Sequence, residues 1–338
     1  MAPALAHPLP TAARVHLLAT GGTIAATASA DGNTRYTAGV LGPDDLIAAV
    51  PGLSDVARLN VEQIASVGSQ NISHAIWLKL ARRVQALQDD PDVDGIVITH
   101  GTDTLEETAY LLSLVCHRHK PVVLVGAMRP AHVVSPDGPG NLLRAVALAA
   151  FKPAMAWGPL VVMNDSIHAA RDVQKTSASG VQAFASPNAG PVGVMQGLKP
   201  VFLQRPTLAE HARFDLEKVL DASLPDVTII FCHAGQDGRS VRDAAAWAAG
   251  VVLAGVGEGN ATDDMLAAVG DAVRAGVAVV RASRCASGAV TRNGEVDDDA
   301  FGTIASGFLS PPKARILLML ALQSTRQPAA IQRFFDES

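Results

Sequence analysis

GIVITHGTDT, residues 95–104, joins an apolar, β-branched run to a cluster of glycine and hydroxyl side chains. The run GIVIT has the length and composition of a buried strand, and HGTDT follows where the chain would leave a sheet. The same pattern occurs earlier, in VHLLATGGTIA at residues 15–25. Ligands of open α/β sheets bind at the carboxyl ends of the strands. The two stretches therefore predict an α/β fold with a hydroxyl-lined site at one edge of its sheet.

Strand-like runs alternate with segments of helical period through the first half of the chain. Residues 73–90 and 104–119 are predicted helices, and Thr104 and Glu107 have the spacing of a capping box at the start of the second. The apolar run PVVLVGA, at 121–127, follows. Strands that alternate with helices form parallel sheets with right-handed crossovers. We therefore predict a large N-terminal domain with a doubly wound, mostly parallel sheet.

The length of 338 residues exceeds the usual size of one hydrophobic core. Residues 186–225 contain five prolines and no sustained periodicity, which favours a connector there. Strand and helix patterns resume beyond it and indicate a smaller α/β domain. We predict an N-terminal domain over 1–203, a linker over 204–225 and a C-terminal domain over 226–338.

Composition excludes several classes of function. A net charge of -5, without blocks of Lys or Arg, disfavours nucleic-acid binding, and no apolar stretch approaches the ~20 residues that span a bilayer. The N-terminal stretch lacks the pattern of a secretory signal, and Cys116, Cys232 and Cys285 are few and widely spaced, as free thiols are. We expect a cytoplasmic protein; a periplasmic location would follow if a signal peptide had been removed.

Cofactor and metal motifs are also missing from the sequence. The cysteines lack CxxC spacing, and the glycine-rich segments do not match the dinucleotide or P-loop patterns. We therefore expect no cofactor and no metal.

Two hydroxyls and a carboxylate could converge at the predicted sheet edge. The Thr23 hydroxyl, just past Gly22, could attack a carbonyl if a base took its proton. Thr102 and Asp103 would emerge beside it from a strand of the same sheet. The alternative is structural: Thr23 would cap a helix, and Asp103 would lie at the positive end of a helix dipole.

Lys175 and Tyr36 are further candidates. Lys175 could serve as a base if desolvation or a nearby cation lowered its pKa, although a surface lysine is the simpler interpretation. Tyr36 follows the polar stretch 27–35, which could close over a substrate and exclude water. Its alternative is an ordinary core or rim aromatic.

These segments together resemble the bacterial-type L-asparaginase family, close to its type II branch. The resemblance extends over nearly the whole chain from about residue 14. It is carried by ATGGTIA (19–25), VGSQ (67–70), GIVITHGTDTLEETAYLL (95–112), VGAMRP (125–130), VVMNDSIHAARDVQKT (161–176), GVGEGN (255–260), SRCASGAV (283–290) and PPKARILLMLAL (311–322).

The resemblance implies roles for particular residues. Thr23 would be the nucleophile, with Tyr36 as its partner and Glu295 orienting Tyr36. A second triad would consist of Thr102, Asp103 and Lys175. The residues implied in substrate binding are Gly22, Ser69, Gln70, Thr102, Asp103 and Asn260.

The activity that the resemblance implies is hydrolysis of L-asparagine to L-aspartate and ammonia through an acyl-enzyme, without a cofactor. The family works as a homotetramer, a dimer of dimers, in which Asn260 and Glu295 would reach a neighbouring subunit's site. Glu258 and His233 depart from the type II pattern, which commonly has asparagine at the first position and an aromatic at the second.

Three alternatives remain open at this point. A glutaminase-asparaginase would have nearly the same residues. An amidase of the tRNA-dependent amidation pathway would need an RNA-facing partner or domain. A non-catalytic amino-acid sensor would bind the substrate without turning it over.

Overall fold

Strand β1 lies inside an eight-stranded sheet and is buried along most of its length. In this computed structural model the described residues are 13–22, 27–28, 36–37, 50–206 and 214–338. The strands are β1 (Arg14–Gly21), β2 (Thr27–Ala28), β3 (Tyr36–Thr37), β4 (Arg58–Val67), β5 (Gly95–Thr99), β6 (Val122–Val125), β7 (Pro159–Met163), β8 (Ser166–Ala169), β9 (Gln174–Lys175), β10 (Phe184–Ala185), β11 (Gly193–Gln196), β12 (Lys199–Phe202), β13 (Val227–Phe231), β14 (Gly250–Gly255), β15 (Ala278–Ser283) and β16 (Ile304–Ala305).

The α-helices in the same ranges are α1 (Leu53–Val56), α2 (His74–Asp89), α3 (Leu105–Val115), α4 (Gly138–Ala149), α5 (Leu216–Asp221), α6 (Arg239–Ala245), α7 (Asp263–Arg274), α8 (Asp298–Phe301), α9 (Pro311–Leu322) and α10 (Pro328–Asp336). The described part of the chain contains no helix with the length and apolar character needed to cross a membrane.

The chain groups into two compact units. The first consists of residues from Met1–Ala109, Cys116–Ser186 and Gly190–Thr207, and the second of residues from Tyr110–Val115, Pro187–Ala189 and Leu208–Ser338.

The large sheet of the first unit has the strand order β12-β11-β8-β7-β6-β5-β1-β4. Strands β4, β1, β5, β6 and β7 are parallel, whereas β8, β11 and β12 continue the sheet by antiparallel pairing. Every residue of β5, β6 and β7 is buried, as expected for parallel strands covered on both faces. The predicted doubly wound, mostly parallel sheet is confirmed.

Helix α2 agrees with its predicted range and shows why the segment is helical. Ser73 caps its start, with Oγ accepting the Ile76 N–H at 3.3 Å. The apolar side chains of Leu80, Val84 and Leu87 recur at helical spacing and are buried. Helix α3 begins after Thr104, as predicted, but ends at Val115 rather than at 119.

The predicted connector over 186–225 differs from the structure. It contains the antiparallel pair β11 and β12, which forms one edge of the large sheet, and helix α5. The two strands have only four residues each, too few for a periodic signal. Pro200 lies in β12, the edge strand, where a missing N–H is tolerated.

The second unit contains a separate parallel sheet with the order β13-β14-β15-β16. Its core is formed by apolar side chains of β13, β14 and β15 together with those of α6 and α7, among them Val251, Leu253 and Met265. Thr262 caps the start of helix α7, and its hydroxyl accepts the Met265 N–H at 3.3 Å. The predicted smaller α/β domain is confirmed.

Candidate active site

The candidate site lies where strands β1 and β5 end. The chain leaves β1, forms β4 on one side of it, and then builds β5, β6 and β7 on the other side. The strand order therefore reverses at β1, and such a reversal opens a crevice at the carboxyl ends of the strands. Thr20 joins these ends, since its hydroxyl donates to the carbonyl of Thr99 at 2.8 Å.

Gly22 allows these strand ends to approach each other closely. Its backbone is left-handed, with φ of 86°, and a Cβ built on it would lie 2.4 Å from both Cα and N of Gly101. Its N–H also donates to the carbonyl of Val67, at the end of β4, at 3.1 Å. An L side chain would meet backbone that cannot move aside, so only glycine fits here.

Three predicted residues, Thr102, Asp103 and Lys175, meet at this edge. Lys175 Nζ donates to Thr102 Oγ1 at 2.9 Å and to Asp103 Oδ1 at 2.5 Å. The Lys175 side chain is 15% exposed and that of Asp103 is 59% exposed. The ammonium therefore lies between a buried hydroxyl and a carboxylate open to solvent. A neutral lysine in the same position could accept the threonine proton.

Glu106 holds the main chain of Lys175 in place and is absent from the predicted set. It lies in the first turn of α3 and is buried, and its Oε2 accepts the Lys175 N–H at 2.5 Å. The helix that follows Thr102 and Asp103 thus also fixes the backbone of the lysine. In the sequence Glu106 is one of two acidic residues at a helix start, a pattern explained by the helix dipole alone.

Ser69 supports the loop that carries Asp103. It is buried in a 3-10 turn (Ser69–Asn71), and its Oγ accepts the Asp103 N–H at 3.1 Å while its carbonyl accepts the Thr104 hydroxyl at 2.8 Å. The hydroxyl acts as an acceptor in this contact, which therefore leaves its proton unused. Gln70 follows it and is exposed.

A buried polar chain lies behind the loop and was not predicted. Trp77 Nε1 donates to Thr108 Oγ1 at 2.8 Å, Thr108 Oγ1 lies 2.9 Å from His100 Nε2, and His100 Nδ1 lies 2.7 Å from the carbonyl of Gly101. Because a carbonyl only accepts, Nδ1 carries the proton and Nε2 accepts from Thr108. Burial lowers the pKa of His100 to about 4, so the ring is neutral at pH 7.

Asn260 and Glu295 lie in the second unit and contact each other. Asn260 Nδ2 donates to Glu295 Oε2 in a short hydrogen bond. Glu258 Oε1 accepts the Thr291 N–H at 2.9 Å, and the contacts with Thr291 lower the pKa of Glu258. The Glu258 carboxylate is therefore paired with the neighbouring loop.

Two predicted residues lie wholly or partly outside the described structure. Thr23 is outside the described residues. Tyr36 begins β3, whose backbone pairs with Ala28 of β2, and its side chain is likewise outside the description. Cys116, Cys232 and Cys285 form no disulfide, and no cluster of three or more metal-ligating side chains occurs within the described ranges.

Both halves of the chain match models of known protein families. A family model described as "Asparaginase, N-terminal" matches residues 14–208, and one described as "Glutaminase/Asparaginase C-terminal domain" matches residues 226–335. The chain is 46% identical to "Probable L-asparaginase periplasmic" of Haemophilus influenzae, over 96% of this chain and 92% of that protein.

Two further relatives carry two different activities in their names. "L-asparaginase 2" of Escherichia coli is 43% identical, over 96% of this chain and 92% of that protein. "Glutaminase-asparaginase" of Pseudomonas fluorescens is 42% identical, over 96% of this chain and 90% of that protein.

Proposed function

The chain belongs to the asparaginase family, and on that premise we propose that it hydrolyses L-asparagine to L-aspartate and ammonia. The observation that carries the proposal is the position of Lys175 Nζ between Thr102 Oγ1 and Asp103 Oδ1 at the sheet's switch point. Acyl-transfer enzymes commonly place a hydroxyl next to an amine that can exchange a proton with it.

Thr23 is the proposed nucleophile. Its Oγ1 attacks the side-chain amide carbon of asparagine while a base takes the hydroxyl proton, and the C–N bond breaks as the leaving nitrogen receives a proton. Ammonia leaves an ester between Thr23 and the aspartyl group. Water then attacks this ester, which releases aspartate and restores the hydroxyl. The position of Thr23 immediately after Gly22, itself packed on Gly101, supports this role.

Thr102, Asp103 and Lys175 are the proposed proton-transfer group. With Lys175 neutral, the Thr102 hydroxyl can pass a proton to Nζ, and the ammonium can later return it to the leaving nitrogen. The exposed Asp103 carboxylate is also free to bind the α-ammonium of the substrate, a charge-assisted hydrogen bond. We assign the α-carboxylate to the Ser69 hydroxyl and to Gln70.

The remaining proposed groups complete the substrate site. Gly22 presents backbone to the ligand, and Tyr36 assists Thr23. From a neighbouring subunit, Asn260 contacts the substrate and Glu295 orients Tyr36. The hydrogen bond between Asn260 and Glu295 supports a joint role for that pair. The reaction proposed for these residues uses no cofactor.

Glutaminase-asparaginase is the second candidate, because the chain is 42% identical to the Pseudomonas fluorescens protein of that name, nearly as much as to the L-asparaginases. Glutamine is longer than asparagine by one methylene group, which a pocket discriminates by about 1–3 kcal/mol unless the reacting amide is also displaced. We therefore expect asparagine to be preferred and glutamine to be turned over slowly.

The proposal extends to assembly, domains and location. We propose a homotetramer built as a dimer of dimers, in which Asn260 and Glu295 serve a neighbouring subunit's site. We also propose domains over 1–203 and 226–338 with a linker over 204–225, and the separation of the two family matches, at 14–208 and 226–335, supports this division. Three cysteines without a disulfide favour a cytoplasmic location over a periplasmic one, and cell fractionation distinguishes the two.

Ammonia release from L-asparagine and L-glutamine, at micromolar and millimolar concentrations, tests the proposed function. The parent should favour asparagine, Thr23→Ala should be inactive, and Thr23→Ser should retain measurable turnover because it keeps a hydroxyl. Equal turnover of the two amides would assign the second candidate. If the folded parent hydrolysed neither amide, the enzyme proposal would fall and an amino-acid sensor would replace it.

A further inference from the structure

Arg281 forms a buried ion pair in the second unit that the proposed chemistry does not use. It lies in β15, and its Nε and a terminal nitrogen donate to the two carboxylate oxygens of Asp298 at 2.7 and 2.6 Å. Their side chains are 1% and 0% exposed. Burial alone would raise the pKa of Asp298, but the hydrogen bonds from Arg281 and Thr303 outweigh it and lower that pKa. Such a pair often stabilises a fold no more than apolar residues would, so its presence calls for another reason.

The remaining donors of Arg281 reach two loops. One terminal nitrogen donates to the carbonyls of Glu258 and Gly259 at 3.2 and 3.4 Å. The other donates to the carbonyl of Thr291 at 3.3 Å. A single guanidinium thus contacts the turn before Asn260 and the segment before Glu295.

Asp298 and Glu258 strengthen the same connection. Asp298 Oδ2 accepts the Asn293 N–H at 2.9 Å, and the Glu258 carboxylate accepts the Thr291 N–H at 2.9 Å. The two loops therefore have a shared buried anchor and a direct surface link. At their ends, the side chains of Asn260 and Glu295 are hydrogen-bonded to each other.

We propose that Arg281, paired with Asp298, is a positioning residue that sets the relative placement of Asn260 and Glu295. The inference rests on the proposed function, which gives those two side chains a role at the substrate. Arginine suits this task because its planar fork has five donors in fixed directions, so one carboxylate and three carbonyls can be held at once. Lysine, with one nitrogen, cannot hold all of them.

The test is a double-mutant cycle with Arg281→Lys and Asn260→Ala. Displacement of positioned groups by about an ångström costs up to ~100-fold in rate, and we expect Arg281→Lys to lower kcat/KM for L-asparagine by about tenfold or more, mainly through KM. If Arg281 acts through Asn260, the double variant should be little worse than Asn260→Ala alone. Losses that multiply in the double variant would overturn the proposal.

Thr303→Val is the matched control for a purely structural effect. Thr303 Oγ1 donates to Asp298 Oδ1 at 2.6 Å and is buried like the pair itself. In the described structure its hydroxyl makes no direct hydrogen bond to either loop. The variant should lower the unfolding temperature yet keep KM within about twofold of the parent. A KM increase equal to that of Arg281→Lys would mean that the rise in KM comes from a general loss of stability and not from the displacement of Asn260 and Glu295.

Hydrogen exchange separates this inference from the proposed function. In Arg281→Lys, the amides of 257–260 and 291–295 should exchange about tenfold faster, with β14 and β15 unchanged. That result would sustain the placement role even if the parent hydrolysed no amide, whereas unchanged exchange would overturn it. If Arg281→Lys fails to fold, Glu258→Ala cuts the surface link only, and it should show a smaller change confined to the same two segments; no change would count against the proposal.

Discussion

Lys175 Nζ donates to Thr102 Oγ1 at 2.9 Å, across 73 positions of sequence. If this contact passes a proton, Lys175→Met should lower kcat by about 10²- to 10⁴-fold, the usual contribution of a positioned acid or base. Lys175→Arg should remain impaired, because a guanidinium keeps its proton. Steady-state ammonia release is the measurement. Lys218→Met, at a side chain that is 85% exposed, is the control and should stay near the parent rate. Full activity in Lys175→Arg would exclude proton transfer by this residue.

Glu106 should matter as a hydrogen-bond acceptor rather than as a charge. Glu106→Ala leaves the Lys175 N–H without its acceptor, which costs about 1–3 kcal/mol for a buried group and frees the lysine backbone to shift. We expect kcat to fall about tenfold. Glu106→Gln keeps an oxygen acceptor and should retain most of the activity. Equal losses in the two variants, measured by ammonia release and thermal unfolding, would show that the negative charge is what counts.

Gly22→Ala should destabilise the protein strongly. Left-handed backbone costs an L residue about 1–2 kcal/mol, and contact with the Gly101 backbone adds about 1–3 kcal/mol. Gly276 provides a matched comparison, because its φ is 91° but a Cβ there would meet nothing within 4 Å. Gly276→Ala should therefore show the backbone cost alone. Urea unfolding measures the free energy of unfolding of both variants. Equal losses in the two would mean that the strand ends can separate at Gly22 without an energetic cost.

His100 should make stability depend on pH. Its pKa is 6.5 in the reference state and about 4 in the fold, so between these values the unfolded chain binds a proton that the folded chain does not. Stability is complete above the unfolded pKa and is lost as pH falls from 6.5 towards 4. Between pH 7 and 5 the loss from this group is about 2 kcal/mol.

Urea unfolding at pH 7 and pH 5 measures the effect of His100. A stable His100→Gln variant should lack this part of the pH dependence, while His119→Gln, at an exposed imidazole, should retain it. Equal dependence in His100→Gln and the parent would show that the buried ring does not titrate as inferred.

The order of elements was predictable because buried parallel strands are nearly continuous apolar runs. GIVIT at 95–99 forms β5 without an offset, and the helix predicted over 73–90 spans His74–Asp89. The hairpin of β11 and β12 was not predictable, because strands of four residues at a sheet edge have no period to detect. Local pattern thus reveals elements that are long and buried on both faces.

The candidate site was likewise predictable from the sequence only in part. Thr102 and Asp103 could be placed at a strand end from the sequence, because that position follows directly from the strand. Their contact with Lys175 depends on the path of β9, and the carboxylate of Glu106 meets a backbone N–H 69 positions away. The sequence around His100 does not indicate that its ring will be buried and neutral. Such relations arise only when distant segments are packed together.

The location of β1 inside the sheet has a consequence for the newly made chain. It is the first strand of the large sheet to leave the ribosome, yet both its neighbours come later, β4 at 58–67 and β5 at 95–99. Until then an apolar strand has no ladder partner, and closing the intervening loops costs entropy before any pairing compensates for it. We therefore expect an interval during synthesis in which this apolar segment is exposed without a strand partner, the state in which chains are most prone to aggregate.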